Sequence, residues 1–301
     1  MQITGSWVAI PTPFNENGTI DCDGFKRLID FHKENGTDGL LVLGSAGEAS
    51  MLNTEEKKKV IEVVICYAGK KIPVLVGTTM SNTAESIAMT AYAKESGADG
   101  ALMVVPGYIR PPQEAIYDFF QKVASTVDIP IAVYDNPTRV GVTIQAETAI
   151  RLAQIPNIVA LKEAIPDVGH LIKVNKEAGD TLDVLTCDSP QFSIILPNLA
   201  MGGSGTANIT GNLAPAEFAE LSKPWKTFDD VTRCRSLIFR YFELMQICYS
   251  VTNPVVIKAG LNLLGLNVGK PRPPLQELDS EKIASLKEVM TKLGIMDKYK
   301  V

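Results

Sequence analysis

The sequence predicts an α/β protein, a (β/α)8 TIM barrel followed by a C-terminal helical appendage. Eight short apolar runs alternate with helical patterns from the amino terminus to about residue 225, which is typical of βαβ units in a parallel sheet. A length of 301 residues suits one barrel with a modest addition. We therefore expect residues 1–225 to form the barrel with the active site, and residues 226–301 to form the helical region.

The eight strands are expected near residues 6–10, 39–43, 73–77, 100–105, 130–134, 157–162, 182–187 and 203–207. The segment 36–43 (GTDGLLVL) is echoed at 97–104 (GADGALMV), about sixty residues later, which corresponds to two βα units. Asp188 or Ser189 ahead of Pro190 predicts a helix start after the seventh strand. Beyond residue 225 the strand pattern stops, and apolar residues recur at helical spacing.

Composition excludes several classes of partner. The formal net charge of −5 gives no basic surface for nucleic acid, and no apolar stretch reaches the roughly 18 residues of a membrane span. Without a signal-peptide pattern we expect a cytoplasmic protein. The five cysteines show no CxxC spacing, so reduced thiols are expected. With two histidines in the chain, we expect no histidine-rich metal site.

The sixth predicted strand, IVALKE, runs from apolar residues directly into Lys162. Catalytic groups of TIM barrels project from the carboxyl ends of strands, and the period of two puts Lys162 on the same face as Ala160. Apolar walls disfavour an ammonium relative to the neutral amine, which is the form that attacks a carbonyl. Tyr134 ends the neighbouring strand and could move the protons that imine formation requires. A lysine that reaches solvent and a packed core tyrosine are the structural alternatives.

Two glycine-rich segments could approach an anionic group. Residues 44–49 (GSAGEA) follow the second strand, where small residues expose backbone amides and Ser45 adds a hydroxyl. Residues 202–205 (GGSG) precede or open the last strand, a region that binds phosphate in some barrels. The second segment leaves open a barrel that acts on sugar phosphates.

Taken together, these features resemble the dihydrodipicolinate synthase and N-acetylneuraminate lyase family over almost the whole chain. The resemblance implies a TIM barrel, a Schiff base between pyruvate and Lys162 without any cofactor, and a homotetramer built as a dimer of dimers. The matching landmarks are Pro11-Thr12-Pro13-Phe14, Gly44 to Glu48, Gly77-Thr78 with Thr83-Ala84-Glu85, Pro106-Gly107-Tyr108-Ile109-Arg110-Pro111, Tyr134-Asp135-Asn136-Pro137, Leu161-Lys162-Glu163-Ala164 and Asn253-Pro254.

The resemblance also implies roles for single residues. Tyr134, Ser45 and Tyr108 match a hydroxyl triad that relays protons, with Tyr108 reaching into the site of a neighbouring subunit. Arg139 matches the arginine that binds the carboxylate of aspartate semialdehyde in the synthase branch, and a guanidinium suits that task. The implied substrate-binding residues are Ser45, Ala46, Arg139, Gly141 and Ala207.

Arg139 favours the synthase branch, in which pyruvate condenses with L-aspartate 4-semialdehyde to give 4-hydroxy-tetrahydrodipicolinate on the route to diaminopimelate and lysine. The alternatives are an aldolase of the same family that acts on a 2-keto-3-deoxy sugar acid or related hydroxy-oxo acid, and a non-enzymatic barrel that binds a small acid.

The chain departs from the usual synthase pattern at several positions. Ala46 lacks the second hydroxyl of the carboxylate loop, and Cys187 places a thiol near the aldehyde pocket. The pair Asp135-Asn136 replaces the more frequent asparagine and aliphatic pair. Gly107 stands where an aromatic residue lines the lysine-inhibition site of some members, so we expect weak or absent inhibition by lysine.

Overall fold

The computed structural model describes residues 1–188 and 192–301 and contains a closed barrel of eight parallel strands in sequential order. Each strand lies within two residues of its predicted position, which confirms the predicted fold class. The helix start predicted at Ser189 and Pro190 lies outside the described residues. The strands are β1 (Gly5–Ala9), β2 (Gly39–Val42), β3 (Val74–Gly77), β4 (Gly100–Val104), β5 (Ile131–Asp135), β6 (Ile158–Glu163), β7 (Asp183–Thr186) and β8 (Gly205–Asn208).

Helices follow the strands and cover the outside of the barrel. Helix α2 shows why they begin where they do, because Asn53 and Glu56 form a capping box that satisfies free amides of its first turn. The helices of this layer are α1 (Cys22–Glu34), α2 (Thr54–Ala68), α3 (Thr83–Glu95), α4 (Gln113–Thr126), α5 (Pro137–Val140), α6 (Ala146–Leu152), α7 (Val168–Ala178), α8 (Ile195–Ala200) and α9 (Pro215–Leu221).

The C-terminal region is helical, as predicted, and comprises α10 (Phe228–Cys248), α11 (Val255–Leu263), α12 (Ser280–Lys292) and α13 (Ile295–Tyr299). Leu244 and Leu261 from these helices share one apolar core with Trp7 and Leu185 of the barrel. Because this apolar core contains residues from both sides of residue 225, the division of the chain at that residue stays a prediction. Within the described ranges, no helix is both long enough and apolar enough to cross a membrane.

A buried ion pair fixes the C-terminal region to the loop after β2. Nζ of Lys258 on α11 lies 2.5 Å from Oε1 of Glu48, and both side chains are at most 1% exposed. Oε2 of Glu48 accepts a hydrogen bond of 2.7 Å from the backbone N–H of Arg272. Removing one partner of such a pair leaves an uncompensated buried charge, which typically costs about 3–5 kcal/mol. The glycine-rich loop after β2 is thereby held in place by contacts with the C-terminal region of the chain.

The register between β5 and β6 pairs Tyr134 with Lys162 and Asp135 with Glu163. Because side chains alternate along a strand, the first pair points into the barrel and the second pair points toward the surrounding helices. On that outer side, Nε2 of His170 on α7 lies 3.0 Å from Oε2 of Glu163. Three titratable groups from two strands and a helix thus meet directly behind the inward pair.

The protonation of this outer cluster follows from its burial. Burial, reinforced by the neighbouring Glu163 carboxylate, raises the pKa of Asp135 to about 8. Burial opposes charging of His170, but the hydrogen bond and charge of Glu163 outweigh it and raise the pKa of that imidazole above 6.5. Near neutral pH Asp135 therefore keeps its proton, and the contact with Glu163 favours the charged form of His170.

The cluster predicts a pH dependence of stability. A carboxyl with a pKa of about 8 in the folded chain and about 3.9 in the unfolded chain binds an extra proton when folded, so its contribution is lost as pH rises between these values. Asp135→Asn removes this titration. Between about pH 6 and pH 8, the free energy of unfolding of the unsubstituted chain should fall more steeply than that of the variant, by up to about 1.4 kcal/mol per pH unit.

Urea unfolding at several pH values measures both slopes. Asp128→Asn provides a matched control, because Asp128 is exposed on the surface and its loss should leave the slope unchanged. Parallel pH profiles for the unsubstituted chain and Asp135→Asn would show that the carboxyl is ionised in the folded state.

Candidate active site

A pocket of about 370 Å³ opens at the carboxyl ends of the barrel strands, the end of a TIM barrel where active sites lie. Its floor consists of inward-facing strand residues, and its rim comes from the loops after β2 and β5 and from the segment after α10. The lining residues are Ala9, Leu41, Gly44, Ser45, Leu102, Tyr134, Asn136, Thr138, Arg139, Lys162, Cys187, Ala207, Ile209, Tyr249, Val251, Thr252 and Asn253.

Lys162 lies inside the barrel with its amine at the pocket. Its side chain is 6% exposed, and Ala160, two residues earlier on β6, is fully buried and small. Nζ lies 4.2 Å from the centroid of the Tyr134 ring. The predicted alternative of a lysine that extends into solvent is therefore wrong. The amine can react only with a molecule that enters the pocket.

Tyr134 presents a protonated phenol to the same pocket. Its hydroxyl accepts a hydrogen bond of 2.7 Å from Nδ2 of Asn136, and Sγ of Cys187 lies 3.8 Å away. Burial raises the pKa of Tyr134 well above its usual value of 10.0. The phenol therefore keeps its proton near neutral pH and can donate it to a bound molecule.

Cys187 follows β7 and contributes a buried thiol to the pocket. Burial raises the pKa of this thiol to about 11, although the nearby charge of Lys162 acts in the opposite direction. At neutral pH it is a thiol rather than a nucleophilic thiolate. It can act as a small apolar surface with a weak S–H donor.

Arg139 lies at the pocket rim on the short helix α5. Pro137 begins this helix, where a missing backbone N–H is harmless, and Gly141 ends it with φ at 77°. A Cβ atom on Gly141 would lie 2.7 Å from Nε of Arg110, so a larger residue would disturb the turn. The side chain of Arg139 is exposed and lines the pocket. It is available to bind an anionic group on an incoming molecule.

The structure brings together five of the predicted site residues, since Lys162, Tyr134, Ser45, Arg139 and Ala207 all line the pocket.

The other three predicted site residues lie elsewhere in the chain. Ala46 is fully buried in the core and so cannot contact a molecule in the pocket through its side chain. Gly141 shapes the turn after α5 without lining the pocket. Tyr108 is completely exposed and has φ at 77°. A single chain therefore leaves Tyr108 outside its own site, and the predicted contribution to a neighbouring subunit stays a prediction.

Several lining residues were missed by sequence reasoning. Asn136 was noted only as a departure in the sequence, and its hydrogen bond to Tyr134 depends on the turn after β5. Tyr249 and Thr252 come from the C-terminal region, which carried no chemical motif. The hydroxyl of Tyr249 donates a hydrogen bond of 2.6 Å to Asp188. The landmark Asn253-Pro254 was the one available signal that this segment approaches the site.

Two other features could concern a phosphate group or a metal ion. The turn at residues 202–205 lies before β8, at the amino end of the barrel, so the phosphate site considered there is on the opposite end from the pocket. Among the described residues, ligand atoms of Asp135, Glu163 and His170 lie within 4.8 Å of one another, close enough to share a metal ion. The 3.0 Å contact between Nε2 of His170 and Oε2 of Glu163 already pairs two of these three groups with each other.

Comparison with known proteins agrees with this geometry. The model of the dihydrodipicolinate synthetase family matches residues 2–293. A 4-hydroxy-tetrahydrodipicolinate synthase from Syntrophotalea carbinolica is 40% identical over 98% of this chain and 99% of its own length.

Solved structures of dihydrodipicolinate synthases also resemble this chain. The crystal structure of dihydrodipicolinate synthase from Aquifex aeolicus superposes with a TM-score of 0.92 at 38% identity, covering 97% of this chain and 99% of its own. A structure described as a monomeric dihydrodipicolinate synthase variant gives a TM-score of 0.91 at 30% identity, with 97% of each chain covered. The chain therefore belongs to the dihydrodipicolinate synthetase family.

Proposed function

We propose that this protein is a class I, Schiff-base lyase that condenses pyruvate with L-aspartate 4-semialdehyde to form 4-hydroxy-tetrahydrodipicolinate. The observation that carries the proposal is the buried amine of Lys162, which meets the phenol of Tyr134 at the floor of a pocket whose rim holds Arg139. Relatives with this activity in their names match nearly the whole chain at 32–40% identity.

The first half of the reaction forms the imine. Nζ of Lys162 attacks the ketone carbon of pyruvate and gives a carbinolamine. Tyr134 donates its proton to the departing hydroxyl, water leaves, and a protonated imine remains on Lys162. The positive charge of the imine then acidifies the methyl group of the former pyruvate. The covalent adduct supplies the electron sink that a cofactor would otherwise provide, so we propose that none is needed.

The second half forms the new carbon–carbon bond. Loss of a methyl proton to the Tyr134 phenolate gives an enamine. Its terminal carbon attacks the aldehyde carbon of the second substrate, which re-forms the protonated imine, while the aldehyde oxygen takes a proton from Tyr134. The amine of that substrate then adds to the imine carbon, closes the ring and releases Lys162. Each step needs a proton to be given or taken next to Nζ, which is where the Tyr134 ring lies.

The carboxylates of the two substrates require separate partners. We assign the pyruvate carboxylate to the loop of Gly44 and Ser45, where backbone amides and one hydroxyl border the pocket. We assign the carboxylate of the semialdehyde to Arg139, whose planar fork of donors suits bidentate recognition. A sugar-acid aldolase would share Lys162 and Tyr134 but would gain little from an arginine at this position.

We further propose that two chains complete each active site and that the dimers pair into a homotetramer. Tyr108 supports this arrangement, because its side chain is fully exposed on a backbone with φ at 77°, in the loop that follows β4. A positive φ at a non-glycine residue costs about 1–3 kcal/mol, and such strain clusters at functional sites.

The assignment of Arg139 predicts a selective kinetic defect. Arg139→Ala should raise the KM for aspartate semialdehyde by about 10–100-fold, the range expected for loss of a charge-assisted hydrogen bond worth about 1.5–3 kcal/mol. The KM for pyruvate should change little. Arg139→Lys keeps the charge but loses the planar fork of donors. Its KM for aspartate semialdehyde should lie between that of the unsubstituted enzyme and that of Arg139→Ala. Steady-state assays against a panel of aldehydes and 2-keto-3-deoxy sugar acids measure these values.

Two results would count against this assignment. An equal rise in both KM values would remove Arg139 from the semialdehyde site. Faster turnover of a sugar acid than of pyruvate with aspartate semialdehyde would make the protein an aldolase of the same family.

The assignment of Tyr108 predicts complementation between inactive chains. Lys162→Ala and Tyr108→Ala should each have little activity. In a mixed dimer, the chain that retains Lys162 receives Tyr108 from its partner, so one site is restored. Mixing the two variants after dissociation should therefore return activity up to about one quarter of the unsubstituted level, the fraction given by random pairing with one site restored in every mixed dimer.

The matched control mixes Lys162→Ala with Tyr134→Phe. Both residues line the pocket of one chain, so each site of a mixed dimer still lacks either Lys162 or the phenol of Tyr134. Recovery in this control to the same level as in the test mixture, or no recovery in the test mixture despite subunit exchange, would place Tyr108 outside the shared site.

A further inference from the structure

The amide of Asn136 contacts the catalytic phenol directly. Nδ2 of Asn136 donates a hydrogen bond of 2.7 Å to the hydroxyl oxygen of Tyr134. On its other side, Oδ1 of Asn136 accepts a hydrogen bond of 2.6 Å from the hydroxyl of Thr138. The Asn136 side chain is 9% exposed and lines the pocket. Both ends of one amide are therefore occupied at the reaction site.

The backbone around Asn136 limits how far this amide can move. Asn136 immediately precedes α5, and its carbonyl accepts hydrogen bonds from the backbone N–H groups of Arg139 and Val140 in that helix. The turn after β5 therefore fixes the main chain, while Thr138 fixes the side chain. The donor end of the amide is held against the phenol before any substrate binds.

The contact determines where the phenol proton can go. A tyrosine hydroxyl has one proton and accepts hydrogen bonds through its oxygen. Because Asn136 donates to that oxygen, the proton of Tyr134 is left to point elsewhere. Cys187 also faces this oxygen, at 3.8 Å, with its thiol protonated. Among the described residues the thiol sulfur of Cys187, a weak acceptor, is the one group besides Asn136 within hydrogen-bond distance of the Tyr134 hydroxyl, so no strong acceptor competes with a molecule bound at Lys162 for the proton.

The same contact assists the charge that develops when Tyr134 gives up its proton. The amide N–H can stay in place and donate to the phenolate, and a hydrogen bond to the charged form favours that form. Within one chain, Asn136 is the side chain seen to donate to the phenol, since Tyr108 of the same chain is fully exposed and Ser45 makes no hydrogen bond to the phenol among the described residues.

We propose that Asn136 is a positioning residue for Schiff-base chemistry in this protein, acting through Tyr134 by directing the phenol proton toward the adduct on Lys162 and stabilising the phenolate that remains. The inference rests on the proposed function and deepens it. In the step concerned, the C–O bond of the carbinolamine breaks, the Tyr134 proton leaves with the hydroxyl as water, and the nitrogen lone pair forms the C=N bond. The products are a protonated imine and a phenolate, which later takes a proton from the methyl group.

A double-substitution cycle tests the proposal, with the rate of imine formation as the measurement. Pyruvate is mixed with enzyme, borohydride is added at successive times, and the reduced adduct is measured by mass spectrometry of the intact chain. This readout does not involve the second substrate. Asn136→Leu, which has similar volume and no polar atoms, should slow imine formation about 10-fold, as expected for loss of one hydrogen bond.

Tyr134→Phe should slow imine formation by about 10²–10⁴-fold, the usual range for one general acid–base group. Adding Asn136→Leu to Tyr134→Phe should change the rate less than about twofold, because Asn136 would have no phenol to act on. Equal effects of Asn136→Leu in both backgrounds would mean that the residue supports the fold or binds pyruvate, and would overturn the proposal. A rate for Asn136→Leu within about twofold of the unsubstituted enzyme would do the same.

Two further variants keep the test decisive if Asn136→Leu does not fold. Thr138→Val frees the acceptor end of the amide and should give a smaller loss that also disappears with Tyr134→Phe. Asn136→Asp places a proton acceptor beside the phenol and should slow the reaction above the pKa of the new carboxyl, with recovery at lower pH. A loss that persists with Tyr134→Phe, or a flat pH profile for Asn136→Asp, contradicts the proposal. Absence of any adduct on the unsubstituted chain would instead refute the proposed function itself.

Discussion

The register between two neighbouring strands determines the chemistry of this protein. Tyr134 lies directly opposite Lys162 on parallel strands, and the pleat sends both side chains into the barrel. A slip of β6 by one residue would exchange its inward side chains for its outward ones. It would place Glu163 in the pocket and bury Lys162 against the helices. The packing of these strands therefore also sets the arrangement of the two groups that we propose to react.

Two buried carboxylates in the described residues lie beside buried bases. Behind the inward pair, the imidazole of His170 lies 3.0 Å from the carboxylate of Glu163, while Asp135 retains its proton. At the loop after β2, Lys258 neutralises Glu48. Lys162 differs, because no carboxylate lies within ion-pair distance of its amine in the described residues. A buried amine without a counter-charge is suited to act as a nucleophile.

Local patterns in the sequence were sufficient to predict the barrel and to single out Lys162 and Tyr134 as candidates for its site. A period of two and the carboxyl ends of strands are properties of short segments, so Lys162 and Tyr134 could be found without any knowledge of distant contacts. The contact of Asn136 could not be predicted in this way, because it depends on the exact turn after β5. Tyr249 and His170 depend on how whole helices dock on the barrel. Those arrangements follow from side-chain packing over long sequence separations, which periodicity does not encode.

The central claim is that the amine of Lys162 forms a covalent bond with pyruvate. Incubation with pyruvate and borohydride, followed by proteolysis and mass spectrometry, tests this claim most directly. The account predicts a reduced three-carbon adduct on the peptide that contains Lys162 and none on the Lys162→Ala chain. Lys258 serves as an internal comparison, since it is also buried but paired with Glu48. An adduct on Lys258 or on a surface lysine, or turnover that persists in Lys162→Ala, would contradict the account.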